Sequence, residues 1–202
     1  MALKETRMDG YARHVDELRG PSADQFGMQE QPPVRRRSLD TKTLTVCALL
    51  TAAALILSYI EFLLPLNIGL PGIKIGLANI AAVMALYRLG PKYALVINVV
   101  RIALAALLFG SLFSGLYALC GGLVSLAGMV LLKNTGAFSI AGVSMAGGVL
   151  HNAGQLCAAA VLAGSVQVFV YSPVLVLSGM AAGIVIGVIS SLVISRLRTA
   201  GH

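Results

Sequence analysis

From residue 44 onward, apolar runs alternate with short polar breaks: Leu44–Leu64, Ile75–Leu89, Ala94–Phe113, Leu116–Leu132, Ile140–Ala163 and Val174–Ile194. A helix that crosses the hydrocarbon core needs about 20 mostly apolar residues. Lipid offers no hydrogen bonds, so each spanning segment must pair its own backbone groups, as a helix does. The pattern predicts an all-α polytopic membrane protein, a bundle of six transmembrane helices. The second and fourth runs are the shortest, and the Phe109–Leu116 junction fits either neighbour. Residues 1–43 carry Gly20-Pro21, Pro32-Pro33 and scattered charges and are too poor in apolar residues to fold alone. Three regions follow: a disordered polar cytoplasmic tail over 1–43, the transmembrane domain over 44–197 and a short cytoplasmic tail over 198–202.

Composition sharpens this picture. Only 11% of the 202 residues are charged and 57% are hydrophobic, with a mean hydropathy of +0.87. A soluble domain carries about 25% charged residues to cover its surface. The tail has no apolar stretch of about 7–15 residues behind Met1, so it does not read as a secretory signal. Fifteen of the twenty-three charged residues lie in it. The basic residues at the ends of the runs, the last four of the tail included, are distributed by side. Nine basic groups, Arg35, Arg36, Arg37, Lys42, Arg88, Lys92, Lys133, Arg196 and Arg198, fall at one set of segment ends, against Lys74 alone at the other. Positive charge marks cytoplasmic ends, so both termini are expected on the cytoplasmic side of a cell (plasma or inner) membrane. The net charge of +7 is spread over segment ends rather than gathered on one face, which argues against nucleic acid.

Small residues recur at four-residue spacing. Gly179, Gly183 and Gly187 form a groove on the last run, and Ala48 and Ala52 do the same on the first. Helices in lipid associate by close van der Waals approach, which small side chains permit. Internal packing and docking to another membrane subunit both use such grooves.

A charged group near the bilayer centre costs at least about 2.5–3.5 kcal/mol, so the polar residues retained at depth are the candidate chemistry. Arg101 sits about eight residues, or roughly 12 Å, into the third run, with Asn98 three residues earlier on the same face. Snorkelling to the interface is the alternative role for Arg101. His151, Asn152 and Gln155 make one patch midway along the fifth run, suited to a ligand or to helix–helix hydrogen bonds. Toward the outside lie Glu61, Asn79 and Lys74, with Glu61 able to pair with Lys74 across the Pro- and Gly-rich segment 65–74, a plausible lid. A metal site is not expected: His151 is the one histidine in the runs, and a cage needs three or four converging ligands. Cys47, Cys120 and Cys157 show no paired spacing and read as buried fillers.

The stretch Pro71-Gly72-Ile73-Lys74-Ile75-Gly76-Leu77-Ala78-Asn79-Ile80, with Arg101 and His151-Asn152, resembles the Gx transporter family, also described as heptaprenyl diphosphate synthase component I. The resemblance covers about residues 42–197, and that family is similar to the substrate-binding S components of energy-coupling factor transporters. It implies six helices, an outward-facing pocket capped by the first external loop, and docking to a membrane coupling subunit through an alanine-x-x-x-alanine pattern that Ala48 and Ala52 match. ATPase subunits would then supply the energy. This chain has no GxxxxGK[ST] phosphate loop of its own.

The family's other name implies prenyl diphosphate chemistry, in which carboxylates hold Mg²⁺ on the diphosphate. Every aspartate lies at or before Asp40, so catalysis by this chain is not expected, nor is a cofactor. The expected function is capture of a small anionic solute from outside. Arg101 supplies the charge, Asn98, His151, Asn152 and Gln155 orient the ligand, and Lys74, Asn79 and Glu61 stand near the entrance. Two rivals stay open: a non-catalytic membrane subunit of heptaprenyl diphosphate or quinone synthesis, and a proton-coupled secondary carrier.

Overall fold

The computed structural model describes residues 40–64 and 76–199, with side chains as far as residue 197. The expectations for Arg35, Arg36, Arg37, the lid over 65–74 with Lys74, and the Arg198 side chain lie outside the described residues. Those residues form six α-helices and no strand: α1 Thr41–Leu63, α2 Asn79–Arg88, α3 Pro91–Leu108, α4 Leu112–Thr135, α5 Ile140–Ala163 and α6 Ser172–Thr199, the last preceded by a 3₁₀ segment, Val166–Tyr171.

Local chemistry sets the ends. The Ser111 and Ser139 hydroxyls accept the N–H groups of Ser114 and Gly142, capping the starts of α4 and α5. Pro91 opens α3, where its missing N–H costs nothing. Gly90 before it has φ 99, a backbone state that a side chain would strain. The Phe109–Leu116 junction resolves into a turn at Phe109–Ser111, with Leu112 onward belonging to α4.

Five stretches are long and apolar enough to cross a membrane: Thr41–Leu63, Pro91–Leu108, Leu112–Thr135, Ile140–Ala163 and Val166–Leu197. The second run departs from expectation. Its helix covers Asn79–Arg88 rather than Ile75–Leu89, because the chain turns at Gly76, where φ is 74. Ten residues rise about 15 Å, half the hydrocarbon thickness. Hydropathy registers apolar composition and is blind to that turn.

The short helix lies inside the bundle. It packs against α1, α3 and α6, while α1–α3, α3–α4, α4–α5 and α5–α6 contacts run round the rest. Ala81, Ala82, Val83, Ala85 and Leu86 of α2 are buried. Val83 and Leu86 join Ala94, Ile97, Leu126, Met129, Val143 and Ile186 in one apolar core. Dispersion contacts close the bundle at the Leu86 end, and polar groups collect beyond the Asn79 end.

Lys133 of α4 secures the closed end. Its Nζ donates to the Leu86 carbonyl at 2.7 Å and lies 4.9 Å from the centre of the Tyr87 ring. Leu86 lies in the last turn of α2, where carbonyls lack helical partners and the dipole favours a cation. Lys133→Met keeps the aliphatic stem and removes the donor. It is expected to lower stability by about 1.5–3 kcal/mol, the worth of a charged hydrogen bond, read as a lower midpoint of thermal unfolding in detergent.

The glycines of α6 are internal packing. Gly179 meets Gly148 of α5, Gly183 meets Ser144 and Met145, and Gly187 meets Ala141 and Ser144. All three are buried, whereas Ala48 and Ala52 of α1 are exposed. The inward face of α1 runs through Cys47, Leu50, Ala54, Ser58 and Glu61, at helical spacing on another side, with Ala54 buried and the others half-buried. The cysteines are not all buried: Cys47 and Cys120 are half-buried and Cys157 is exposed. A thiol is apolar enough to face lipid at little cost.

Candidate functional site

Arg101 is the centre of the polar region. α3 carries it ten residues from Pro91, about 15 Å along the axis, and Asn79 lies a similar distance up α2 from the Leu89–Gly90 turn. Arg101 is 9% exposed, so it does not snorkel to an interface. Nη2 donates to Asn98 Oδ1 at 2.8 Å and Nη1 to Ser58 Oγ at 3.4 Å. Nε is buried and has no hydrogen-bond partner among the described residues. Asn98, 3% exposed, is held by the i, i+3 geometry of α3.

Ser58 is a site residue that sequence reasoning passed over. Its signal was present: Ala54, Ser58 and Glu61 follow at spacings of four and three, one polar-tipped face of α1. Counting along each helix alone puts Glu61 toward the outside and Arg101 at mid-depth. In the fold, Ser58, one turn below Glu61 on α1, accepts a hydrogen bond from Arg101. The Glu61 carboxylate accepts the Gly76 N–H through Oε1 at 2.5 Å. It thereby ties α1 to the turn that starts α2, where Asn79 Nδ2 lies beside Gly76.

Two adjacent glycines of α4 join this cluster to the second polar patch. A side chain at Gly122 would strike Asn98 Nδ2, and one at Gly121 would strike the His151 carbonyl and the Gln155 side chain. The bare backbone of α4 therefore lets Asn98 approach from α3 and His151 and Gln155 from α5. Asn152 points elsewhere. Its Nδ2 donates to the Leu175 carbonyl at 2.7 Å and to Ser178 Oγ at 3.3 Å, both on α6. One residue is 100° of helix, so Asn152 continues the Ala141–Ser144–Gly148 seam while its neighbours face α4. The expected patch of three is thus two residues toward α4 and one toward α6.

The arrangement offers a buried cation with one open N–H, several neutral amide and hydroxyl groups, and a carboxylate beside it. A buried guanidinium of this kind can pair with an acidic group. Among the described residues no three His, Cys, Asp or Glu side chains come together as metal ligands.

No curated protein and no solved structure matches the chain. Residues 50–193 match a family model described as heptaprenyl diphosphate synthase component I. That span runs from α1 to α6 and includes Ser58, Glu61, Arg101, His151 and both glycine seams. The chain is a membrane-embedded helical member of the heptaprenyl diphosphate synthase component I family.

Proposed function

We propose that the chain is the solute-binding subunit of a membrane uptake system, resembling the S components of energy-coupling factor transporters. It takes a small anionic solute from outside, with both termini in the cytoplasm of a cell membrane. The observation that carries this reading is Arg101, nine-tenths buried with Nε unpartnered among neutral polar groups. A cation kept in hydrocarbon at such cost is normally kept for a ligand or a pathway. Asn98, Ser58, His151 and Gln155 supply further polar contacts, and Asn79 stands near the entrance. Mass spectrometry of the full chain purified in mild detergent is expected to find a co-purifying small acid. Recovery of only neutral or cationic small molecules would count against the reading.

Docking to a coupling subunit is assigned to Ala48 and Ala52. They lie exposed on α1, in contrast to the buried glycines of α6. Ala48→Leu with Ala52→Leu is expected to cut recovery of membrane and ATPase partners at least tenfold while leaving the thermal midpoint unchanged. Unchanged recovery would refute the docking face.

The family's description favours a second reading, a non-catalytic membrane component of prenyl diphosphate synthesis. It predicts that a soluble synthase co-purifies with the chain and gains activity from it.

A further inference from the structure

Arg101 dictates which way the Asn98 amide turns. A guanidinium only donates, so the oxygen of the amide must face it, and Oδ1 accepts from Nη2 at 2.8 Å. That choice sends Nδ2, with its two N–H donors, to the other side. There it meets the bare backbone of α4: a Cβ at Gly122 would lie 2.6 Å from Nδ2 and 3.1 Å from Ile102 Cδ1. Asn98 is 3% exposed, yet Nδ2 has no hydrogen-bond acceptor among the described residues. The Arg101 Nε is in the same state. Buried donors left without acceptors are costly, and here both belong to one bonded pair of side chains.

The neighbouring glycines of α4 differ in what they hold back. A Cβ at Gly121 would come 2.6 Å from the His151 carbonyl oxygen, which is backbone and fixes how closely α4 and α5 approach. At Gly122 the atoms in the way are the ends of two flexible side chains, so the helices need not part. What gives way at Gly122 is the Asn98 amide, and with it the bond that holds Arg101.

Resting on the reading of Arg101 as the anion-binding group, we propose that Gly122 is a positioning residue of that site and that Asn98 Nδ2 is a second donor to the solute, an oxyanion. With no side chain at position 122, the amide keeps Oδ1 on Nη2 while Nδ2 and Nε both stay available. A methyl group there pushes the amide off α4, strains its bond to Nη2 and turns both donors out of line. Gly122 touches no solute; it acts through Asn98.

The test uses full-length protein in lipid nanodiscs, with benzoate as the probe oxyanion and benzamide as its neutral isostere. Affinity is read by calorimetry at one pH, and the thermal midpoint on the same preparation. Gly122→Ala is expected to weaken benzoate binding about tenfold or more, the worth of one hydrogen bond to a charged group, with the midpoint unchanged. Gly121→Ala is expected to lower the midpoint instead. Asn98→Ala should weaken benzoate like Gly122→Ala, and adding Gly122→Ala to it should cost less than about twofold more, since no amide is left to displace. Without ligand, the Nε–H resonance of Arg101 in isotope-labelled protein, assigned by its loss in Arg101→Met, should move in Gly122→Ala and stay still when Gly122→Ala is added to Asn98→Ala. Unchanged affinity in Gly122→Ala, or the same loss with and without Asn98, would overturn the role of Gly122 and leave the anion site standing. So would failure of Gly122→Ala to fold both alone and with Ile102→Val, which clears the other contact. A parent that binds benzoate no better than benzamide would overturn the anion site itself.

Discussion

Leucine in place of Gly148 or Gly179 is expected to prevent α5 and α6 from assembling. A Cβ at Gly148 would overlap the Gly179 carbonyl oxygen, and one at Gly179 would fall 2.7 Å from the Gly148 carbonyl oxygen. The obstacle in each case is backbone, which cannot rotate away as a flexible side chain does. Separating the helices would also break the Asn152 bond to Leu175 and open the contacts of Gly183 with Ser144 and Gly187 with Ala141. Overpacking in a core costs about 1–3 kcal/mol where neighbours can shift, and more where they cannot. A penalty above about 3 kcal/mol is expected here, enough to leave little folded protein, since whole domains hold only about 5–15 kcal/mol. The measurement is the yield of monodisperse protein from detergent. Gly142→Ala is the control, because a Cβ there makes only ordinary contacts, the nearest at 3.6 Å. It should be recovered like the parent. Full recovery of Gly148→Leu would mean that the α5–α6 seam is looser than its geometry requires.

That seam was legible in the sequence because it is periodic: Gly179, Gly183 and Gly187 recur once per helical turn, and so do their partners. The start of α2 was not, since a single glycine turn at Gly76 leaves hydropathy unchanged. The site was legible in part. Arg101 and Asn98 share one helix face and could be paired by counting. The meeting of Arg101 with Ser58 depends on how far α1 slides along α3, which no count within one helix supplies. Asn152 shows the converse. Spacing alone grouped it with His151 and Gln155, but a 100° step turns its amide to α6, where the carbonyl of Leu175 is within reach. Polar residues in lipid are informative about depth and much less so about direction.

Arg101→Met is expected to separate function from stability. Methionine fills much of the same volume without a charge, so a buried cation that cost desolvation is removed while the space stays filled. If Arg101 is kept for a ligand, the variant should fold at least as well as the parent, with an equal or higher thermal midpoint. Its affinity for an anionic solute should drop about 10- to 150-fold, the worth of a charged hydrogen bond at about 1.5–3 kcal/mol. Arg101→Lys should recover only part of that loss. An ammonium restores the charge but lacks the planar fork that lets Nη2 and Nη1 reach Asn98 and Ser58 while Nε stays free. A structural role predicts the opposite order. If the bonds to Asn98 and Ser58 mainly held α3 to α1, Arg101→Met would unfold several degrees earlier and bind no more weakly per folded molecule. The pair of measurements, thermal midpoint and affinity on the same preparation, therefore decides whether this arginine ties two helices together or waits for a third partner.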